Sequence, residues 1–359
     1  MHADALAPGS VIGILGGGQL GRMLAVAGAE LGFDVHVYDP EPDCPASRVA
    51  ARSWAAPWSD DGAIGSFADR CDAITYEFEN VPVEAVAIAS RVSKLRPGAR
   101  SLELTQDRVV EKSFINEAGV ATVPFAPVSD LAELHEAIVQ IGMPSVLKTR
   151  RFGYDGKGQA WIRSSADVEA AWTAIGQQPA ILEGAAAFTR ELSIVAARGL
   201  DGVVKAYPLV ENVHGDGILR TTTAPAMNIS PAIQSRADEI AHAIGTGLDH
   251  VGVFAVELFQ MESGELLVNE IAPRVHNTGH WTQDACACSQ FEQHMRAVAG
   301  WTLGDPAPHS ACVMTNLIGH DVDEWASLLE DPQCRLHLYG KRKTKPGRKM
   351  GHVNRLGRL

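Results

Sequence analysis

The chain of 359 residues carries 31 Lys and Arg against 43 Asp and Glu, a formal net charge of −12 that disfavours a general nucleic-acid binder. A hydrophobic fraction of 46% with 21% charged residues excludes disorder and small disulfide scaffolds, and the length suggests two or three domains. The charge is uneven: the last 26 residues, from Cys334 on, hold nine basic side chains and no acidic one, so the rest of the chain sums to −21. The six cysteines include no C-x-x-C pair, and Met1-His-Ala-Asp lacks the basic and apolar segments of a signal peptide. Reduced thiols and a cytoplasmic location are expected. No membrane span is expected either, since even the apolar Val251–Phe259 is short and contains Glu257.

From Val11 the elements alternate. The run Val11–Leu15 predicts a strand, followed by a glycine cluster, a helix over Leu20–Leu31, a strand Val35–Tyr38 closed by Asp39-Pro40, and another strand Ala73–Tyr76. Such alternation predicts a parallel sheet covered on both faces, ending near Thr105-Gln-Asp-Arg108. Next come a helix Asp107–Glu117, a strand ending at Lys148, a glycine-rich loop Gly153–Gly158, a strand and helix to about Ala174, and a strand Ile181–Glu183. After Arg190 the pattern is β-rich, with Glu191–Ala197 and Val203–Leu209 flanking the hairpin signal Arg198-Gly-Leu-Asp-Gly202. The organisation is α/β followed by α+β.

Gly16, Gly18 and Gly21 satisfy G-x-G-x-x-G between a strand and a helix, and Asp39 ends the next strand, as in a dinucleotide fingerprint. Physically the motif offers only a tight turn and a helix N-terminus with free N–H groups. A nucleotide, a sugar phosphate or nothing could sit there, and a β-to-α packing turn is the plain alternative.

Val251–Gln260 and Leu266–Ile271 read as two strands joined at the turn signal Ser263-Gly264. A hairpin centred between those two residues sets Glu257 directly opposite Glu270 on one face. Opposed buried carboxylates repel and lose hydration, and a divalent cation relieves both problems. A neighbouring arginine, for which Arg274 is available, is the other way to neutralise the pair. An odd-length turn would move the two glutamates to opposite faces.

Gly17-Gly-Gln-Leu-Gly-Arg22, Tyr76-Glu-Phe-Glu-Asn80, Lys148-Thr-Arg-Arg-Phe-Gly-Tyr-Asp-Gly-Lys-Gly158, Asn269-Glu-Ile-Ala-Pro-Arg-Val-His-Asn-Thr-Gly-His280 and Pro346-Gly-Arg-Lys-Met-Gly-His352 follow one another along the chain. Together they resemble the 5-(carboxyamino)imidazole ribonucleotide synthetase family of ATP-grasp enzymes. The resemblance implies an α/β and α+β ATP-grasp fold. Its parts would be an N-terminal Rossmann-like domain (1–107), an ATP-grasp domain (108–302, with small lobe 108–190 and large lobe 191–302) and a small β-rich C-terminal domain (303–359). It implies an ATP-dependent ligase of purine biosynthesis. Such an enzyme converts ATP, bicarbonate and 5-aminoimidazole ribonucleotide to N5-carboxyaminoimidazole ribonucleotide, ADP and phosphate through carboxyphosphate. A homodimer that passes its product to a mutase is implied as well, with no membrane or nucleic-acid partner.

The resemblance also implies roles. Arg108, Lys148, Glu183, Gly184, Ala185, Ala186, Glu191, His214, Asn269 and Glu270 would bind ATP, under a flap formed by Gly153, Tyr154, Asp155, Gly156, Lys157, Gly158 and Gln159. Glu257 and Glu270 would hold Mg²⁺, or Mn²⁺ in its place, although the Glu-x-Asn common at this site is Glu270-Ile-Ala272 here. Arg274 would stabilise bicarbonate and the transferring phosphoryl group, with Lys148, Tyr154 and Asp155 as further catalytic groups. Glu77, Tyr154, Asp155, Arg274, His276 and Asn277 would face the ribonucleotide; Gln19, Leu20, Lys341 and Arg348 would hold its 5′-phosphate, as clustered cations favour. His280 and Trp281 are expected to be packing residues. Compared with the family, the segment before Val11 is an extension, and the chain ends soon after Asn354. The alternatives are another ATP-grasp ligase, such as a formate-dependent glycinamide ribonucleotide transformylase, a nicotinamide dehydrogenase, or a non-catalytic nucleotide-binding module.

Overall fold

The computed structural model describes residues 2–153 and 157–359. The first part is a parallel sheet of β1 (Val11–Leu15), β2 (Asp34–Tyr38), β3 (Arg52–Trp54), β4 (Ala73–Tyr76) and β5 (Lys94–Leu95), in the order β3-β2-β1-β4-β5. The central strand is apolar at nearly every position because both faces are covered. Ile12 and Ile14 join one core with Leu24 and Val37, whereas Leu15 joins the opposite core with Phe67 and Tyr76.

A small antiparallel sheet follows, built from β6 (Phe125–Val128), β7 (Ser145–Thr149), β8 (Gln159–Ile162) and β9 (Ala180–Gly184) in the order β6-β9-β7-β8. Helices Leu131–Ile141 and Val168–Ala174 cover one of its faces. Asp130 caps the first of these by accepting from the Glu133 N–H, the exchange expected of an N-cap aspartate.

The remaining strands form one sheet: β10 (Phe188–Arg198), β11 (Val204–Ala206), β12 (Val210–Gly215), β13 (Ile218–Ala224), β14 (Gly252–Met261), β15 (Leu266–Ala272), β16 (Ala311–Ile318), β17 (Cys334–Leu338) and β18 (Lys349–Gly357). Their order is β15-β14-β10-β12-β13-β16-β18-β17, with β11 on β10. The C-terminal strands therefore extend the sheet of the large lobe through β13 and β16, with Thr221 paired to Thr315, so one continuous sheet runs across residue 302.

Helix Gln290–Val298 binds the parts together. Phe291, Met295 and Val298 share a core with Ile12, Leu24 and Val253, and buried His294 meets Thr75 of β4 through Nε2 while its Nδ1 accepts from the Val253 N–H at 3.0 Å. The segment before Val11 packs there too, with Leu6 N–H donating to Ala299 O and Trp301 Nε1 donating to Leu6 O. All six cysteines are buried free thiols. No helix among the described residues is long and apolar enough to cross a membrane.

Candidate active site

The first glycine loop is tightly folded: Gly16 has φ +103°, and a Cβ on Gly21 would lie 2.7 Å from Gly16 O. Its amides are already engaged. Gly17 N–H donates to Asp39 Oδ2, and Gly18 and Gly21 N–H donate to the two oxygens of Glu77, each at 2.7 Å. A carboxylate thus occupies the place where a dinucleotide would put its pyrophosphate. The dehydrogenase alternative loses its binding site, and Glu77 satisfies two amides at the start of a helix. Burial pushes the Glu77 carboxyl above its ordinary value, although the Gly21 and Gly18 bonds oppose that shift.

Between the small and large sheets lies a cavity of about 430 Å³. Lys148, at the end of β7, reaches into it and donates to Glu183 Oε2 at 2.8 Å. Burial alone would raise the Glu183 carboxyl, but Lys148 and Lys112 outweigh it and hold it down at about 2. Gly184, Ala185 and Ala186 continue this wall from β9, and Gly153, Lys157 and Gln159 line the cavity from the second glycine-rich loop. Gly158 has φ +70° and accepts from the Thr149 N–H. Tyr154, Asp155 and Gly156 lie outside the described residues. The loop is rooted by Arg150, ion-paired with Asp107 at 2.9 Å, and by Arg151, which donates to Gln106 Oε1 at 2.7 Å. Opposite, Glu191 is paired with His214; burial lowers the imidazole pKa, but Glu191 reverses the effect and raises it.

Glu257 and Glu270 face each other across β14 and β15 on the cavity wall. The turn between them is longer than a two-residue loop. Met261 N–H donates to Glu265 O and Gly264 adopts φ +85°, giving the three-residue hairpin whose last residue needs a left-handed conformation. That turn pairs Gln260 with Leu266 and Leu258 with Val268. A β-bulge at Asn269 then restores the opposition of Glu257 and Glu270. Burial and the facing Glu270 push the Glu257 carboxyl up to about 7, while Arg108, 2.8 Å from Glu270, overcomes burial and lowers Glu270. Asn269 Oδ1 is buried with no hydrogen-bond partner among the described residues. Two carboxylates and an unclaimed amide oxygen suit a hard divalent cation whose remaining ligands are phosphate oxygens and water.

The other end of the cavity holds Arg274, His276 and Asn277 with Gln19 and Leu20. Arg274 Nε donates to Glu79, which also lines the cavity. Arg274 outweighs the effect of burial on Glu79 and holds that carboxyl down at about 2. Burial and Arg274 push His276 down to about 3, so its ring is neutral. Both amide atoms of Asn277 are buried and unpartnered among the described residues. Lys341 and Arg348 are not on this wall: Lys341 Nζ donates to Lys349 O at 2.7 Å, and Arg348 Nη1 donates to Lys343 O at 2.9 Å. Lys349, the residue after Arg348 in the Pro346–His352 motif, lines the cavity. Sequence reasoning passed over Lys349 and Glu79, each inside a motif already singled out, and the stacked pair Phe188 and Phe259, whose rings lie 4.5 Å apart at the cavity. His280 and Trp281 are fully buried, bonded to Gln290 and packed on Tyr207 respectively.

Comparison with known proteins places this geometry. Residues 10–106 match the ribonucleotide synthetase preATP-grasp domain, 113–291 the ATP-grasp domain, and 312–358 the phosphoribosylaminoimidazole carboxylase C-terminal domain. The chain is 48% identical to an N5-carboxyaminoimidazole ribonucleotide synthase of Brucella melitensis over 99% of both sequences. An ADP complex of an N5-carboxyaminoimidazole ribonucleotide synthetase superposes with a TM-score of 0.96 at 40% identity, covering 100% of this chain and 95% of that one. The Aspergillus clavatus enzyme, in complex with ADP and 5-aminoimidazole ribonucleotide, superposes with a TM-score of 0.92 at 31% identity over 98% of this chain and 94% of that one. Agreement of this extent spans all three sheets and every wall of the cavity: the chain belongs to the N5-carboxyaminoimidazole ribonucleotide synthase family, ATP-dependent ligases of the ATP-grasp fold.

Proposed function

We propose that the cavity carboxylates 5-aminoimidazole ribonucleotide with bicarbonate at the expense of ATP, forming N5-carboxyaminoimidazole ribonucleotide, ADP and phosphate. The observation that carries this reading is the convergence of Lys148, Arg108, Arg274 and the Glu257–Glu270 pair on one cavity. Phosphoryl transfer needs positioning and charge neutralisation more than covalent chemistry from the protein, and these groups supply both.

In this reading ATP lies along β9, with adenine against Glu183–Ala186 and ribose at Glu191 and His214. Lys148 and the glycine-rich loop hold the phosphates. Glu257, Glu270 and Asn269 would hold Mg²⁺, which when bound neutralises phosphate charge. Arg274, fixed by Glu79, orients bicarbonate so that its oxygen attacks the γ-phosphorus as ADP leaves. The ribonucleotide amine then attacks the carboxyl carbon of carboxyphosphate, or the CO₂ it releases, and inorganic phosphate departs. Neutral His276 is a proton acceptor beside that amine. Exclusion of water from the cavity protects the labile intermediate. A cytoplasmic homodimer handing its product to a mutase completes the reading.

The test is substrate dependence. Purified protein should release phosphate from ATP only with a divalent cation and 5-aminoimidazole ribonucleotide, and carboxylated product should form with bicarbonate. Phosphate release driven equally well by glycinamide ribonucleotide would sink the substrate assignment.

A further inference from the structure

Lys112 is wholly buried, and its Nζ donates to the main-chain carbonyl of Asn269 at 3.0 Å. Its neighbour Glu111, also buried, accepts from the Ile271 N–H at 2.7 Å. One turn earlier on the same helix, Arg108 donates to Glu270 at 2.8 Å. Side chains at i, i+3 and i+4 share a helix face, so one face of helix Arg108–Glu117 grips three consecutive residues of β15. Asn269, the first of those three, is the bulge residue and has no opposite number on β14. Backbone groups displaced from a ladder must find partners elsewhere. Without the bulge, the register set by the three-residue turn would continue, Glu257 would face Asn269, and Glu270 would point to the other side of the sheet.

We propose that Lys112 and Glu111 are positioning residues that hold the bulge at Asn269 and so keep Glu270 on the same face as Glu257, assembling the cation site. The proposal rests on Glu257 and Glu270 being the cation ligands. Neither Lys112 nor Glu111 lines the nucleotide cavity.

The experiment measures Mn²⁺ binding to the full chain with ADP by electron paramagnetic resonance, alongside the Mg²⁺ requirement of turnover and the KM for 5-aminoimidazole ribonucleotide. Lys112→Met and Glu111→Met should weaken Mn²⁺ binding roughly tenfold or more, as loss of groups that support metal ligands does, and raise the Mg²⁺ requirement with it. The ribonucleotide KM should stay within about twofold, because the polar contacts of Lys112 and Glu111 go to Asn269, Glu183 and Ile271 rather than to Arg274 or His276. Glu111→Gln retains the oxygen that accepts from Ile271 and should bind Mn²⁺ like the wild type. The Glu111 pair decides alone if Lys112→Met fails to fold. Glu270→Gln is the control: wild-type Mn²⁺ binding in that variant overturns the cation site itself. Weak binding in Glu270→Gln with wild-type binding in Lys112→Met and Glu111→Met overturns only the positioning role. A ribonucleotide KM that rises in step with the Mg²⁺ requirement also overturns it, since the effect would then be a general loosening.

Discussion

Arg274 donates from Nε to the carboxylate of Glu79, a contact that joins the loop after β4 to the segment after β15. Arg274 also donates from Nη1 to Val275 O at 3.0 Å, so its guanidinium is fixed on two sides. A charge-assisted bond of this kind orients an arginine as well as neutralising it. Glu79→Gln is expected to raise the KM for bicarbonate roughly tenfold, the value of about 1.4 kcal/mol of lost orientation, and to leave the KM for ATP within about twofold. Steady-state kinetics with bicarbonate varied in CO₂-depleted buffer make the measurement.

Glu270 stands between Arg108 and the facing Glu257, so neutralising it removes a cation ligand and leaves Arg108 without its closest carboxylate. Glu270→Gln should lower turnover by about a hundredfold or more while the protein remains folded. Phosphate release at saturating ATP and Mg²⁺, read beside a thermal melt, separates loss of chemistry from loss of fold. Near-normal turnover would remove Glu270 from the cation site.

Lys349 lines the cavity, whereas Lys341 and Arg348 donate to the main chain of the tail itself. Lys349→Met should therefore raise the ribonucleotide KM more than the double variant Lys341→Ala with Arg348→Ala, with little change in the KM for ATP. If the double variant raises both KM values equally, those two residues maintain the shape of the tail.

Glu77 satisfies two amides at the start of helix Gln19–Glu30. Glu77→Gln puts an NH₂ group against one of those donors, and an unsatisfied buried N–H costs about 2 kcal/mol. Urea denaturation should show that loss, together with a smaller effect on the ribonucleotide KM than that of Lys349→Met.

His294 makes stability depend on pH. Burial pushes this histidine from its ordinary 6.5 down to about 3, and its Nδ1 is committed as an acceptor. Between those values the unfolded chain binds more protons than the folded one, so the contribution is complete above 6.5 and is lost as pH falls toward 3. Acidifying from pH 7 to pH 5 should cost about 2 kcal/mol through this residue alone. Urea midpoints across that range should fall, and His294→Gln should flatten the slope by roughly one proton.

Much of this molecule can be read along the chain because the information is local. The strand Val11–Leu15, the helix after it and the strand at Ala73–Tyr76 follow from runs of apolar residues and glycine punctuation, and the structure places them where those signals lie. The glycines at 16, 18 and 21 announce a tight strand-to-helix turn, but not what fills it. That depended on β4 bringing Glu77 beside the turn, 56 residues beyond Gly21.

The Glu257–Glu270 pair shows the division most clearly. Alternation and a turn signal place two glutamates on a hairpin, and a two-residue turn sets them opposite each other. The actual turn has three residues and would separate them, and the bulge at Asn269 brings them back. A bulge leaves little local signal because its stability comes from elsewhere: Lys112 holds its carbonyl from 157 residues away. Sequence alone determined which residue types and motifs are on offer for chemistry, since charge, glycine and apolar pattern are properties of neighbours. Only the tertiary structure decided which of them meet, because a one-residue shift in pairing reverses the face of every side chain beyond it.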